Sequence, residues 1–170
     1  AESVRDGRSA LDALAGWLRG RFGDASVVGV GHRVVHGGAR FTGPTLVTPE
    51  VVKELRDLVS LAPLHQPHNL AAIEAISERM PGVPQVACFD TSFHHGQAAV
   101  AELVPLPREI CAGGVQRYGF HGLSHAYAVR RATAVIGHPA RLVTCHLGAG
   151  ASLAAVRDGL PQLTTFLVVD

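Results

Sequence analysis

Apolar side chains recur at Leu11, Leu14, Leu18 and Phe22 within SALDALAGWLRGRF. This spacing lines one helical face and predicts a helix over residues 9–22, with Ser9 as its N-cap. The pattern then changes. In SVVGVGHRVVHGG, β-branched residues run into paired glycines, which predicts a strand entering a loop. TPEVVKELRDLVSLA opens a second helix: Thr48 is placed to cap, Pro49 takes the first helical position and Glu50 follows. PLHQPHNLAAIEAISERM begins as a proline-bounded loop and turns helical from about Asn69. A short apolar strand, Val86 to Phe89, delivers Asp90 at its end. GFHGLSHAYAVRRATAVIG reads as a loop and then a helix closing on Gly137. ARLVTCHLGAGASLAAVRDGLP reads as two strands joined by a tight glycine turn, with a second turn at Asp158-Gly159. Helices alternate with apolar strands, so the fold class is α/β. There is no internal repeat and no low-complexity tract.

Composition narrows the class. Of 170 residues, 47% are apolar and 17% charged, a globular balance long enough for a real core. Fifteen Lys and Arg oppose fourteen Asp and Glu. A net charge of +1 gives no field for nucleic acid. Cys88, Cys111 and Cys145 are widely spaced, so neither a zinc knuckle nor a disulfide framework is implied, and reduced thiols in a cytoplasm are expected. No apolar run reaches the ~20 residues that cross a bilayer. The opening AESVRDGRSA has no signal-peptide core. It also lacks an initiator methionine, and the chain stops on the strand-like run QLTTFLVVD. Both ends lead to the expectation of a piece of a longer protein.

Several short segments carry candidate chemistry. In HLGAG, Gly148 and Gly150 allow close backbone approach, and successive N–H groups there can cradle an anion such as phosphate. A plain hairpin turn gives the same letters. His146 and Ser152 add possible donors. Arg33, in GHRVVHGG between His32 and His36, has the planar fork that grips a carboxylate or phosphate, or forms a structural salt bridge. Asp90 at a strand end suits a ligand crevice, or serves as an Asx turn or helix cap. His121 and His125 are four apart, as in a two-histidine metal face, but Gly122 intervenes and no HExxH glutamate is present. A loop donor to an anion fits His121 better. Ten histidines are scattered without zinc-ligand spacing. His65 and His68 sit in a proline-held loop beside Leu64. Neither GxxxxGK[ST] nor GxSxG occurs, so the common phosphate loop and the serine-hydrolase elbow are both absent.

Taken in order, GHRVVHGG, LAPLHQPHNL, VPQVACFDTSFH, RYGFHGLSHAY and TCHLGAGAS resemble the signature blocks of the acetate kinase family. The resemblance covers about residues 26–159. Propionate kinases share the blocks, and butyrate kinases are more distant. It implies an incomplete ribonuclease-H-like fold of the sugar kinase, actin and heat-shock ATPase superfamily. Residues 1–140 would be most of the N-terminal domain and residues 141–170 the start of the C-terminal domain. It implies reversible transfer of the ATP γ-phosphoryl to acetate with Mg²⁺, in a cytoplasmic homodimer without nucleic-acid or membrane partners. By the same resemblance, Arg33 holds the acetate carboxylate and the phosphoryl group. Val35, Leu64 and Phe120 form the methyl pocket. Asp90 is the catalytic carboxylate, and His121 donates to the transferring phosphoryl. His65 lies beside the site, and His146, Gly148, Ala149 and Gly150 form the phosphate hairpin. No residue of the chain is assigned as a metal ligand.

The chain also departs from that pattern. The family's Asn-Ala-Gly-Ser-Ser-Ser loop and Gly-Thr-Arg motif do not occur in it. Ala149 stands where the family has Asn, and LPQLTTFLVVD replaces the run around Val-Asp-Thr-Ser-Met-Gly. Little or no turnover by the isolated polypeptide is therefore expected. Competing classes are an anion-binding remnant without catalysis, a zinc hydrolase built from the histidines, and a purely structural fragment.

Overall fold

The computed structural model describes residues 7–23 and 25–168; residues 1–6, read above for signal-peptide character, lie outside that range. The chain divides into two units, Ala1–Val34 with Pro44–Cys88, and Val35–Gly43 with Phe89–Asp170.

The first unit contains α1 (Gly7–Phe22), β1 (Val30–Val34), β2 (Thr45–Leu46), α2 (Pro49–Asp57) and α3 (Gln66–Arg79). It also contains all but the last residue of β3 (Gln85–Phe89). The strands lie in the order β1-β3-β2, and β2 runs antiparallel to β3 with Thr45 opposite Ala87. Thr48 caps α2: its backbone is extended and its Oγ1 accepts the Val51 N–H at 3.3 Å. Helix α1 begins at Gly7, so Ser9 sits in its first turn and does not cap it. Helix α3 begins at Gln66, earlier than the proline suggested. Pro67 fills a first-turn position, where its missing N–H forfeits no helical bond. His65 thus becomes the N-cap and His68 an exposed helical residue.

A polar chain ties α3 to this sheet. His32 Nε2–H donates to the Gln85 Oε1 at 2.7 Å, and Gln85 Nε2 donates to Ser77 Oγ at 2.8 Å. Ser77 in turn donates to the Ile73 carbonyl. Arg79 grips Asp12 through two N–H groups at 2.9 and 3.1 Å, linking α3 to α1. The larger buried apolar residues described in the unit are Val34, Leu55, Leu70, Ile73 and Ile76; Ala62, Gln66 and Ala75 are buried in α3 and its approach, and Gln85 and Ala87 on β3.

The second unit carries α4 (Ala99–Glu102), α5 (Arg108–Ala112), α6 (Gly122–Ile136), β4 (Arg141–Leu147), β5 (Gly150–Arg157) and β6 (Leu160–Val168). The last three form an antiparallel sheet in that order. The β4–β5 register pairs Thr144 with Ala154 and His146 with Ser152. Asp158 and Gly159, at φ 52° and 84°, make the two-residue turn between β5 and β6, where both central positions need positive φ. Helix α6 closes on Gly137 in the left-handed region, whose N–H bonds the Thr133 carbonyl at 2.8 Å.

Helix α6 packs on β4. His125 and Val129, one turn apart, are both buried. Val129, Ala154 and Val156 form an apolar cluster with Phe93 and Leu142 against it. Strand alternation separates the two sides of β4. Thr144 is buried, whereas Val143, Cys145 and Leu147 are exposed. The side of β4 and β5 that bears Thr144, His146, Ser152 and Ala154 is therefore where polar chemistry can be held.

Candidate functional site

The second unit gathers four of its histidines around the start of α6. His121 precedes the helix as its N-cap, with φ 56° and ψ 24°. A non-glycine residue in this region carries strain of order 1–3 kcal/mol and persists only where its surroundings hold it. Contacts on both sides hold it here. The N–H of Gly122 donates to the Asp90 carbonyl at 2.8 Å, pinning the helix start to the end of β3. The His121 ring stacks on His146 with centroids 4.0 Å apart and planes 19° apart.

Gly122 is required by space. A Cβ there would lie 2.2 Å from the Asp90 carbonyl oxygen and 2.8 Å from the Phe93 Cβ. The glycine lets α6 start against the Asp90 main chain, and the Asp90 residue itself is buried.

Hydroxyl groups link the imidazoles. His121 Nδ1 and Ser152 Oγ are 2.8 Å apart. His125 bridges Thr144 Oγ1 at 2.8 Å through Nδ1 and Ser152 Oγ at 2.9 Å through Nε2. His146 Nδ1 meets Ser124 Oγ at 3.0 Å. His94 Nε2–H donates to the Phe120 carbonyl at 2.9 Å. Burial pushes His125 down to about 4, helped by the neighbouring His94, His121 and His146. It is neutral near pH 7. Burial also lowers His94, although the Phe120 carbonyl and Asp90 act against it. His36 is lowered by burial and then by His95. Its Nδ1 accepts the Gly38 N–H at 2.9 Å, and its ring meets Tyr118 edge-on.

Among the residues singled out in the sequence, Asp90, Phe120, His121, His146 and the 148–150 turn all lie in this unit, as does the half-buried Val35. Arg33, exposed on β1, Leu64, four-fifths exposed, and His65 belong to the first unit. Gly148 and Gly150 are not among the positive-φ glycines, so neither is used for a left-handed angle. A Cβ on Gly148 would meet only ordinary contacts, 3.4 Å from the Gly150 carbonyl oxygen and 3.5 Å from His146 Nε2. The fold does not demand glycine at 148, so any need for open space there comes from something approaching the turn. Thr91, rather than Asp90, caps the short 3-10 turn Ser92–His94, without a side-chain cap bond. Thr144 and Ser124 were not anticipated. The signal for both was available in the alternation along β4, which sets Thr144 and His146 on one side, and in the 121/125 spacing that meets it.

Among the described residues no three His, Cys, Asp or Glu side chains are grouped so as to hold a metal ion. No described helix is long and apolar enough to cross a membrane.

The α/β fold is related to that of part of solved carboxylate kinases. An acetate kinase from Porphyromonas gingivalis superposes with TM-score 0.86 at 35% identity, over 97% of this chain and 44% of that one. A propionate kinase from Francisella tularensis does so with TM-score 0.88 at 31% identity, over 95% and 42%. In sequence, an acetate kinase of Rhodopseudomonas palustris is 53% identical over 150 residues, covering 86% of this chain and 38% of its own length. Residues 4–166 match the Acetokinase family, and the chain belongs to it. It spans about two fifths of the length of the curated relatives it matches.

Proposed function

We propose that this chain carries phosphoryl-handling residues of an acetate kinase, an enzyme that moves the γ-phosphoryl of ATP reversibly to acetate, giving acetyl phosphate and ADP. The observation that carries the reading is His121, kept in a left-handed conformation against the Asp90 main chain and stacked on His146. Phosphoryl transfer needs little covalent help from the protein. It needs donors aimed at the equatorial oxygens and groups that fix the reactants in line. His121 supplies such a donor. His146 and the 148–150 turn offer imidazole and main-chain N–H groups to nucleotide phosphates. Asp90 acts as the carboxylate at the reacting oxygens. Arg33 grips the acceptor carboxylate, and Val35, Leu64 and Phe120 contact its methyl group. His65 lies near the acceptor.

ATP and Mg²⁺ are the expected co-reactants. The described residues fit a metal that arrives with the nucleotide: among them Asp90 is a buried carboxylate, and no group of three His, Cys, Asp or Glu forms a cage. Mg²⁺ held in this way would neutralise phosphate charge. The ribonuclease-H-like architecture, the domain boundary near residue 140, the homodimer and the cytoplasmic location belong to this same reading. The isolated 170-residue polypeptide turns over slowly or not at all in this account, because Gly-Thr-Arg and Asn-Ala-Gly-Ser-Ser-Ser do not occur in it.

The likeness to a propionate kinase keeps a longer acceptor open, since one methylene is worth only ~1–3 kcal/mol of discrimination. Calorimetry of the purified chain with acetyl phosphate and with ATP tests the reading. Saturable binding that is lost in His121→Ala supports it. Absence of binding by a cooperatively folded chain refutes it.

A further inference from the structure

The hydroxyl and imidazole groups behind His121 form one connected line whose polarity is decided at its buried end. Thr144 and Ser152 are 8% and 0% exposed, and His125 is 1% exposed, so water does not complete their bonds. Thr144 Oγ1 has two partners for its single proton: His125 Nδ1 at 2.8 Å and the Ala154 carbonyl at 3.5 Å. Hydroxyl donors sit 2.5–3.0 Å from their acceptors, so the second contact is too long to compete. The Thr144 proton therefore goes to His125 Nδ1.

The rest of the line follows from single-proton bookkeeping. A neutral imidazole that accepts at one nitrogen donates at the other. His125 is neutral, since burial holds its pKa near 4. Its Nε2–H donates to Ser152 Oγ at 2.9 Å. Ser152 then turns its own proton to the remaining partner, His121 Nδ1, at 2.8 Å. Running the line the other way would put N–H on His125 Nδ1 and leave the Thr144 hydroxyl with only the 3.5 Å contact. A buried donor without a partner costs ~1–3 kcal/mol.

We infer that Thr144, His125 and Ser152 act as positioning residues that fix His121, in its uncharged form, as the Nε2–H tautomer, making its second ring nitrogen a hydrogen-bond donor. No proton leaves the line; each of the three bonds is made by one proton moving within its own group. The inference rests on the proposed function for its significance, because a donor at Nε2 is what an incoming phosphoryl oxygen requires. Its geometry stands without that reading. The second imidazole is arranged alike, with Nδ1 on Ser124 Oγ at 3.0 Å, so the stacked pair is oriented by two hydroxyls.

Long-range proton–nitrogen NMR of the purified chain, labelled with ¹⁵N-histidine at pH 8, reads the tautomers directly. We expect His125 and His121 both to show an unprotonated Nδ1 and a protonated Nε2. Protonated Nδ1 on either ring overturns the inference. Thr144→Val, which keeps the shape and deletes the hydroxyl, gives a second test. Here His125 stays Nε2–H, while its Nδ1 signal moves toward that of a free lone pair. A switch of His125 from Nδ1–H in the parent to Nε2–H in the variant would mean the line runs the other way. Ser152→Ala is expected to shift the His121 nitrogen signals, because the proton that fixes its Nδ1 as an acceptor is gone. A His121 signal unchanged in that variant also counts against the relay. These readouts need no turnover, so they can fail while phosphate binding succeeds, or succeed while it fails.

Discussion

Replacing Gly122 by alanine probes the joint on which the site is built. The added Cβ would stand 2.2 Å from the Asp90 carbonyl oxygen and 2.8 Å from the Phe93 Cβ. Neither distance is tenable, and one of the two atoms is main chain, so α6 must back away from the end of β3. That movement opens the 2.8 Å Gly122–Asp90 hydrogen bond, worth about 1 kcal/mol. Overpacking against Phe93 adds about 1–3 kcal/mol. The better helix propensity of alanine returns at most about 1 kcal/mol. The net expectation is a loss of about 1–3 kcal/mol. At about 2–4 °C per kcal/mol for a chain of this length, the melting temperature falls by about 2–12 °C. Circular dichroism melts of parent and variant at pH 7.5 measure it. The same variant should weaken the His121–Ser152 contact, because His121 directly precedes the displaced residue. An unchanged or higher melting temperature would show that the approach of α6 to Asp90 is not present in the molecule, and the account of His121 would fall with it.

Acid should destabilise the fold through its buried imidazoles. His125 titrates near 4 when folded and near 6.5 when unfolded, so its contribution is complete above about pH 6.5 and is lost as pH falls toward 4. Urea titrations at pH 7.5 and pH 5 should differ by about 2 kcal/mol from this group alone, with His94 and His36 adding in the same direction; equal stabilities would contradict the burial argument. Gly148→Ala should leave the melting temperature within a degree or two, since its Cβ meets only ordinary contacts, yet weaken ATP binding about tenfold or more, the worth of one charge-assisted hydrogen bond. Unchanged binding by calorimetry would remove the turn from the site. Ala149→Asn should tighten ATP binding about fivefold, the worth of one added hydrogen bond, and an unchanged dissociation constant would show that the exposed position faces no phosphate.

Local signals carried much of the fold. Thr48-Pro49 marked a helix start because capping and the proline ring act within one turn. Asp158-Gly159 marked a hairpin turn because only certain residues tolerate two successive positive φ values. The start of α3 was placed late because a proline is ambiguous between loop and first turn. Gln66 resolves the ambiguity through a nonlocal bond to the Leu55 carbonyl, eleven residues back. The site was legible as residue types and motifs. Its wiring was not, because Ser152 and Thr144 gain their meaning from the β4–β5 register and from the helix laid across it. Gly122 shows the same limit: the sequence presents an interrupted histidine pair, whereas the folded chain needs that glycine for a main-chain contact thirty-two residues away.

The most direct measurement substitutes the matching part of this chain, 86% of it, for the corresponding segment of the Rhodopseudomonas palustris acetate kinase and follows ATP-dependent acetyl phosphate formation. The account expects turnover in the ordinary range of ~1–10³ s⁻¹, falling by ~10²-fold or more in His121→Ala of the same hybrid. A folded hybrid without activity, or one indifferent to the loss of His121, would contradict it.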